Sequence, residues 1–358
     1  MDETFNLIKK IERLAEGKKN LRFMEVCGTH TVAIFRSGIR QILPSNVELV
    51  SGPGCPVCVT NDEYIDKAIE YSRKKNFIVA TFGDMLKVPG SRSSLSTTAA
   101  EGADVRVVYS PLDCLKLAKE NPRKKIIFLA VGFETTAPTQ AATVLAAKAQ
   151  GIKNFFMLSA QKLVPPALKF LAGDAATKVD GFLLPGHVAV VIGADAFNFL
   201  AEDFKIPSAV SGFEAEEILT AIGSLLEQVD SGRAEVANDY RAVVKAQGNI
   251  AAKKILAEVY EVTDAEWRGI GKISASGLKM RDEFAAFDIE RVEPIELERV
   301  EKKSACRCGE VLRGVINPTA CPLFGRACQP LHAVGACMVS VEGVCAAWFK
   351  YGGGKFNF

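Results

Sequence analysis

Short apolar runs alternate with amphipathic stretches between residues 23 and 184. Seven of these runs have the length and the apolar content of buried parallel strands. They are Phe23–Val26, Val47–Val50, Phe77–Ala80, Val105–Val108, Ile126–Val131, Phe155–Leu158 and Phe182–Leu184. The intervening stretches, such as Asp62–Lys75 and Thr139–Ala149, have helical periodicity. Strands that alternate with helices predict an α/β fold built on mostly parallel sheets.

The spacing of the strand ends suggests two related halves. Cys27, Cys55 and Gly83 each follow a predicted strand, and 28 residues separate each from the next. We therefore predict two similar α/β domains, over residues 20–120 and 121–215, that face each other across a cleft. Unrelated βα units of ordinary length would give a similar spacing, so duplication is one of two explanations.

The pattern changes after the second predicted domain. Glu216–Val229 and Ala234–Gln247 have the periodicity of amphipathic helices, and Lys253–Val262 continues it. The remainder of the chain is rich in cysteine and in loop-forming residues. We predict a mainly helical, cysteine-rich third domain over residues 216–358, with an N-terminal helix within residues 1–19 packed against it.

Composition and charge narrow the classes of function. The chain has 44 Lys and Arg against 42 Asp and Glu, which argues against a general nucleic-acid binder. No apolar run reaches the ~18–20 residues that cross a bilayer, and the charged N-terminus lacks the apolar core of a signal peptide. We expect a cytoplasmic protein with no membrane partner. The sequence contains neither a P-loop nor a G-x-G-x-x-G motif, and it indicates no conventional catalytic triad.

Ten cysteines are the main chemical anomaly, and they fall into two groups. Cytosolic thiols are kept reduced, so these cysteines indicate metal ligands, redox thiols or core residues rather than a disulfide framework. Cys114, in an apparent helix, is interpreted as a core residue. The distribution of the others predicts two separate cysteine-based sites.

The C-terminal group contains one C-x-C pair and wider gaps of 12, 6, 8 and 7 residues. Its members are Cys306, Cys308, Cys321, Cys328, Cys337 and Cys345. A structural zinc site usually has two tight C-x₂₋₄-C knuckles. The wide gaps therefore favour an iron–sulfur cluster, with zinc as the alternative. Spacing alone leaves open which four cysteines bind, and the other two could be thiols that take part in electron transfer.

Two motifs near the N-terminus place cysteines directly after strands. Cys55 and Cys58 have the C-x-x-C spacing of a redox dithiol, and a thiolate at a helix N-terminus has a lowered pKa. Half of a zinc knuckle is the alternative. Cys27 and His30, within Cys-Gly-Thr-His-Thr, could be a nucleophile with its base or a soft metal ligand with a polar neighbour.

Polar residues also follow other predicted strands. Asp84, Glu134 and His187 stand at strand ends, where ligands bind in open α/β sheets. Each one alone could be a helix cap or a loop hydrogen bond. Together with Thr135 and Thr136 they predict a polar cleft.

Together these motifs resemble the HypD family of hydrogenase maturation proteins. The matching segments are Met24–Thr31, Gly52–Cys58, Thr81–Met85, Gly132–Pro138, Leu184–Val188, Ser211–Glu214 and Cys306–Cys345. They cover nearly the whole chain in the order of the family. Ala333 departs from the pattern, since the family tends to have proline there, and this affects only the expected shape of the local loop.

The resemblance implies a scaffold that helps to build the Fe(CN)₂CO unit of [NiFe]-hydrogenases. The implied partners are a HypC-type small chaperone and a HypE-type cyanide donor. The family pattern C-x₁₄-C-x₆-C-x₁₆-C assigns a [4Fe–4S] cluster to four cysteines and leaves Cys308 and Cys337 as non-ligating neighbours. The four implied ligands are Cys306, Cys321, Cys328 and Cys345. The surroundings of the cluster are similar to those in ferredoxin–thioredoxin reductase.

On this resemblance, Cys27 holds the iron that carries cyanide and CO, and Cys55 and Cys58 are further candidate ligands. His30 and Thr31 surround the iron, while the dithiol takes electrons relayed from the cluster. Asp84, Glu134 and His187 would line the cleft and are candidate catalytic or binding residues. The rival hypothesis is a freestanding iron–sulfur thiol–disulfide oxidoreductase, which leaves the Cys27 motif unexplained.

Overall fold

The computed structural model describes residues 2–297 and 304–352. The strands are β1 (Leu21–Glu25), β2 (Val47–Ser51), β3 (Phe77–Thr81), β4 (Val105–Val107), β5 (Lys125–Gly132), β6 (Phe155–Gln161), β7 (Gly181–Pro185), β8 (Ser208–Ser211), β9 (Val236–Asn238), β10 (Tyr260–Trp267) and β11 (Gly271–Met280).

The helices surround these strands and connect most of them. They are α1 (Asp2–Ala15), α2 (Gly28–Arg36), α3 (Ile39–Ile42), α4 (Pro56–Val59), α5 (Asp62–Ser72), α6 (Leu95–Ala100), α7 (Asp113–Glu120), α8 (Ala137–Ala149), α9 (Val164–Gly173), α10 (Gly186–Ile192), α11 (Phe199–Glu202), α12 (Ala215–Ser231), α13 (Ile250–Val259), α14 (Ile289–Val292), α15 (Cys308–Leu312) and α16 (Val344–Tyr351). Short 3₁₀ turns cover Gly83–Met85, Ala194–Phe197, Asp282–Phe287, Pro318–Ala320 and Ala336–Met338.

Two parallel sheets form the framework, and the predicted α/β class is confirmed. The first sheet has the order β2-β1-β7-β8-β9, and the second has the order β4-β3-β5-β6. The paired strands of both sheets run parallel. Strands β10 and β11 form a separate antiparallel hairpin. All seven predicted strands are present. Six are largely buried apolar runs, whereas the edge strand β4 is partly exposed.

The sheets divide the chain differently from the predicted domain ranges. Strands β3 and β4 fall in residues 20–120 but pair with β5 and β6, while β7 and β8 fall in 121–215 but join β1. The chain therefore leaves the first sheet after β2 and returns to it at β7. Spacing could not reveal this, because βα units have similar lengths whichever sheet they enter, and strand pairing decides membership.

The region after residue 215 is less helical than predicted. Helix α12 confirms the first predicted helix, but within Ala234–Gln247 the chain forms β9 and turns, so that helix prediction is wrong. The next helix, α13, ends at Val259 and the hairpin begins at once. The burial of β10 alternates along the strand, a period-two signal that the helical interpretation of Lys253–Val262 missed.

Two smaller predictions concern the core. The N-terminal helix α1 packs on α12, with Ile11 and Ala15 buried against Ile218 and Leu219, as expected. Cys114 lies fully buried in α7 and is a core residue. None of the helices that the structure describes is both long and apolar enough to cross a membrane.

Candidate metal and thiol site

The carboxyl ends of β1 and β2 bring the two N-terminal cysteine motifs together. These strands are parallel neighbours, so the loops that follow them emerge at the same edge of the sheet. The Gly28 N–H donates to the carbonyl of Gly54 at 3.0 Å. A Cβ atom at Gly54 would lie 2.3 Å from the backbone nitrogen of Cys27. Only glycine allows this approach, which places the Cys-x-x-C loop directly against Cys27.

Cys27 immediately precedes α2 and is partly exposed. Burial raises the pKa of its thiol to about 11, while the nearby backbone N–H groups of His30 and Thr29 partly oppose that rise. The thiol is therefore protonated in the metal-free protein near neutral pH. A metal ion that bound here would displace this proton, as metals do at cysteine ligands.

His30 is fully buried behind Cys27. Its Nε2 lies 2.8 Å from the carbonyl oxygen of Gly212, so Nε2 carries the proton and donates. The ring stacks on Phe213 at 4.5 Å, and His187 stacks on the same phenyl ring at 3.8 Å. Burial lowers the pKa of His30 to about 4, so the imidazole is neutral, and its Nδ1 has no partner among the described residues. Phe213, within the matching segment Ser211–Glu214, links the two histidines, a role that no motif predicts.

Thr31 connects Cys27 to a buried carboxyl group. Its hydroxyl donates to the carbonyl of Cys27 at 3.3 Å and also lies near Glu25. Glu25 accepts from the Ser51 hydroxyl at 2.6 Å, and Arg40 lies 3.5 Å away. Burial raises the pKa of Glu25 to about 7, because desolvation outweighs the effect of Arg40. A buried, titratable carboxyl group thus lies beneath the Cys27 loop.

A loop from the cysteine-rich region closes over this site. The Thr29 hydroxyl donates to Glu342 at 2.9 Å, and the Ser340 hydroxyl donates to Asp84 at 2.8 Å. Asp84 comes shortly after β3 of the second sheet. The structure therefore places it against the same loop that contacts the Cys27 motif. The charge of Glu342 raises the pKa of both Cys27 and His187, although burial makes the net shift of His187 downward.

Glu134 has a different environment from Asp84 and His187. One of its oxygens accepts from the backbone N–H of Val164 at 2.9 Å, at the start of α9. Burial raises its pKa to about 7, and the second oxygen has no partner within the described chain. Glu134 therefore hydrogen-bonds the start of a helix, the alternative given above for strand-end residues, and no contact among the described residues places it beside Cys27.

The Cys-x-x-C pair is buried around the short helix α4. The Cys58 N–H donates to the sulfur of Cys55 at 3.4 Å. Burial raises the pKa of Cys58 well above its ordinary value, and the neighbouring thiols of Cys337 and Cys55 raise it further. The expected lowering of the pKa is therefore not found at Cys58. Cys337, in the 3₁₀ turn Ala336–Met338, links the dithiol to the C-terminal cysteines. Cysteine spacing does not predict this contact.

All six C-terminal cysteines line one small cavity. Cys306, Cys308, Cys321, Cys328, Cys337 and Cys345 share it with Val311, Phe324, Gly335 and Met338. Burial raises the pKa of Cys345, and nearby Cys337, Cys306, Cys328 and Cys321 raise it further, so these sulfurs are close to one another. Soft sulfur donors around a closed apolar space fit a four-iron cluster. In the described residues, no three His, Cys, Asp or Glu side chains converge as the ligands of a single metal ion.

Comparisons with known proteins agree with the resemblance. The HypD family model, described as "Hydrogenase formation hypA family", matches residues 3–352. The chain is 46% identical over 335 residues to the hydrogenase maturation factor HypD of Escherichia coli K12, covering 93% of this chain and 90% of that protein. It is 44% identical to a putative hydrogenase expression/formation protein of Methanocaldococcus jannaschii, covering 96% of each chain. Identity to the HypD of Azotobacter vinelandii is 43%, over 97% of this chain and 93% of that protein.

Proposed function

The chain belongs to the HypD family of hydrogenase maturation factors, and from that premise we propose that it is a scaffold and redox component for assembling the Fe(CN)₂CO unit of [NiFe]-hydrogenases. The iron, with its cyanide and CO ligands, is the cargo. A HypC-type chaperone shares its binding, and a HypE-type protein donates the cyanide.

One observation supports this proposal above the others: the cysteines form a continuous series. The six-cysteine cavity includes Cys337, whose thiol lies beside Cys58. Cys58 contacts Cys55, and the preceding Gly54 lies against Cys27. The cavity proposed for the cluster and the partly exposed Cys27 are thus joined through a buried pair of cysteines.

Cys27 is the residue best placed to hold the iron. It is partly exposed, unlike the buried Cys55 and Cys58, so a second thiolate from the chaperone can approach it from solvent. Soft thiolate ligands suit low-spin iron that carries cyanide and CO. The neutral His30 behind Cys27 adds no positive charge, while Glu342 accepts from Thr29 of the same motif. His187 stacks on Phe213, and Asp84 accepts from Ser340 of the loop that carries Glu342. Cys55 and Cys58 are further candidate ligands.

The cavity would hold a [4Fe–4S] cluster through Cys306, Cys321, Cys328 and Cys345. Such a cluster supplies electrons one at a time when bound. A Cys55–Cys58 disulfide needs two electrons and two protons to become the dithiol. Cys337 is suited to pass on reducing equivalents because it lines the cavity and lies beside Cys58.

Anaerobic purification, with iron, sulfide and zinc analysis of wild-type protein and Cys27→Ala, tests this proposal. We expect about four irons and four sulfides per chain in both proteins, with broad visible absorption. Hydrogenase maturation should be lost only in Cys27→Ala. Colourless protein that contains zinc would contradict the redox role, and normal maturation by Cys27→Ala would contradict the scaffold role. Thiol–disulfide exchange that does not require Cys27 would instead favour the freestanding oxidoreductase.

A further inference from the structure

The turn of the β10–β11 hairpin reaches the dithiol helix through one buried arginine. Arg268, the first residue of this turn, is 8% exposed. Its backbone N–H donates to the carbonyl of Val59 at 2.8 Å, and its Nε donates to the carbonyl of Thr60 at 2.6 Å. Its Nη1 forms an ion pair with Asp62 at 2.8 Å. Arg268 therefore holds the C-terminal end of the helix that carries Cys58.

The same turn touches the cysteine-rich region. A Cβ atom at Gly269 would lie 2.7 Å from the Cα of Gly309 and 3.4 Å from the sulfur of Cys308. A Cβ atom at Gly309 would lie 2.0 Å from the carbonyl oxygen of Gly269. Two glycines thus allow backbone contact between the hairpin and the start of α15, so one turn contacts both cysteine sites.

One nitrogen of Arg268 has no acceptor within the described part of the chain. Nη2 is buried and has no hydrogen-bond partner among the residues that the structure describes. A buried donor without an acceptor is costly, so such groups in native proteins call for an explanation. The turn that Arg268 begins lies against the cysteine cavity, because a Cβ atom at Gly269 would be 3.4 Å from the sulfur of Cys308, which lines that cavity. The unpaired donor therefore belongs to a cation that is close to the cysteine cavity.

We propose that Arg268 is a positioning residue that couples the two cysteine sites, with Nη2 as a donor to sulfur in the loaded cavity. The proposal rests on the proposed function, because it needs a cluster in the cavity. A positive charge and an N–H donor next to cluster sulfur favour the reduced, more negative state. The other contacts of Arg268 fix the dithiol helix at the same time. Neither role belongs to any motif found in the sequence.

The first test compares cluster potentials in the full-length, cluster-loaded protein. Arg268→Gln removes the buried charge, and Arg268→Lys keeps it. Arg307→Gln is the matched control, because Arg307 lies between two cavity cysteines but is 40% exposed and paired with Glu310. We expect Arg268→Gln to raise the ratio of oxidised to reduced cluster tenfold at a fixed potential. This corresponds to a reduction potential about 59 mV lower for a one-electron couple. Arg268→Lys should stay near wild type. A shift in Arg268→Gln no larger than that of Arg307→Gln would overturn the sulfur contact.

The second test needs no cluster. Hydrogen exchange of the peptide containing residues 55–60 is measured in the metal-free, full-length protein. Both Arg268→Gln and Arg268→Lys should exchange at least tenfold faster than wild type, while Arg307→Gln should not change. Unaltered exchange would overturn the anchoring role. Wild-type protein that binds no cluster would overturn the proposed function and the sulfur contact together, and the exchange result would still decide whether Arg268 anchors the dithiol helix.

Discussion

The Cys27 loop and the C-terminal cysteine cavity are held in place by different means. The loop continues from a regular buried strand, and a glycine contact and hydrogen bonds to Glu342 and Gly54 fix it. The cavity is built from short turns, and Cys321 and Cys328 are themselves part of its small apolar core with Phe324 and Met338. The first region can keep its shape without a metal. The second has so little other core that a bound cluster would contribute much of its folding energy.

The largest effect should come from removing a cavity cysteine. Cys321→Ala is expected to abolish cluster assembly and to unfold much of the cavity, because the metal bonds and the small core are lost together. Iron content and the proteolysis rate of residues 306–345 measure this. Cys114→Ala is the control, since it removes a buried thiol from ordinary core at ~1–2 kcal/mol. If cavity residues were as protease-resistant in Cys321→Ala as in Cys114→Ala, the contrast between the two regions would fail.

A second substitution should affect the Cys27 loop alone. Gly54→Ala places a methyl group within 2.6 Å of the Cys27 backbone, so one of the two loops must move. We expect destabilisation of ~1–3 kcal/mol and loss of maturation, with iron and sulfide content unchanged. Denaturant unfolding and metal analysis report the two effects.

Gly223→Ala is the matched control for Gly54→Ala. It lies inside α12, and its added methyl group would meet only the flexible side chain of Lys10 at 3.9 Å. This change should stabilise the protein by ~0.5–1 kcal/mol, because alanine favours the helix interior. Normal maturation by Gly54→Ala would show that Cys27 does not need its close contact with the Cys-x-x-C loop.

The connection between the two regions should be sensitive to Cys337. Cys337→Ser is expected to retain the cluster but to slow reduction of the Cys55–Cys58 disulfide at least tenfold, because serine cannot exchange disulfides. Stopped-flow reduction followed by thiol alkylation measures the rate. Cys308→Ser is the comparison, since Cys308 also lines the cavity and contacts Cys306. Equal rates in wild type and Cys337→Ser would place the electron path elsewhere.

The last prediction concerns the pH dependence of stability. The folded pKa of His30 is about 4, below its ordinary value of 6.5, so the unfolded chain binds the proton more tightly. Its contribution to stability is complete above pH 6.5 and is lost as the pH falls towards 4, by about 3 kcal/mol at most. Glu25 and Glu134 have raised pKa values and act in the opposite direction, losing stability as the pH rises from 4.5 to about 7.

The effect of His30 is isolated by comparing His30→Gln with wild type. Glutamine keeps a side chain that can donate to the Gly212 carbonyl but does not titrate in this range. The free energy of unfolding of the wild type minus that of His30→Gln should decrease as the pH falls from 6.5 to 4. A constant difference over that interval would mean that His30 is not held neutral by burial.

The features of the fold that depend on the local pattern of apolar and polar residues were predictable from the sequence. The seven strands are short apolar runs, helices α5, α8 and α12 lie where helical stretches were predicted, and cysteine spacing separated the N-terminal motifs from the C-terminal group. Sheet membership was not predictable, because it depends on which strands pair in three dimensions. Phe213, Arg268 and Glu342 were missed for the same reason: each acts through a contact with a residue distant in sequence. The raised pKa of Cys58 was not predictable from the C-x-x-C motif, because it depends on burial and on the distant Cys337.

Infrared spectroscopy of the anaerobically purified complex tests the central claim most directly. The full-length protein is co-expressed with a HypC-type chaperone and a HypE-type cyanide donor, as wild type and as Cys27→Ala. The account predicts cyanide and CO stretching bands of iron in the wild type and their loss in Cys27→Ala, with the visible cluster absorption equal in both. Identical infrared bands in the two proteins would show that Cys27 does not hold the iron.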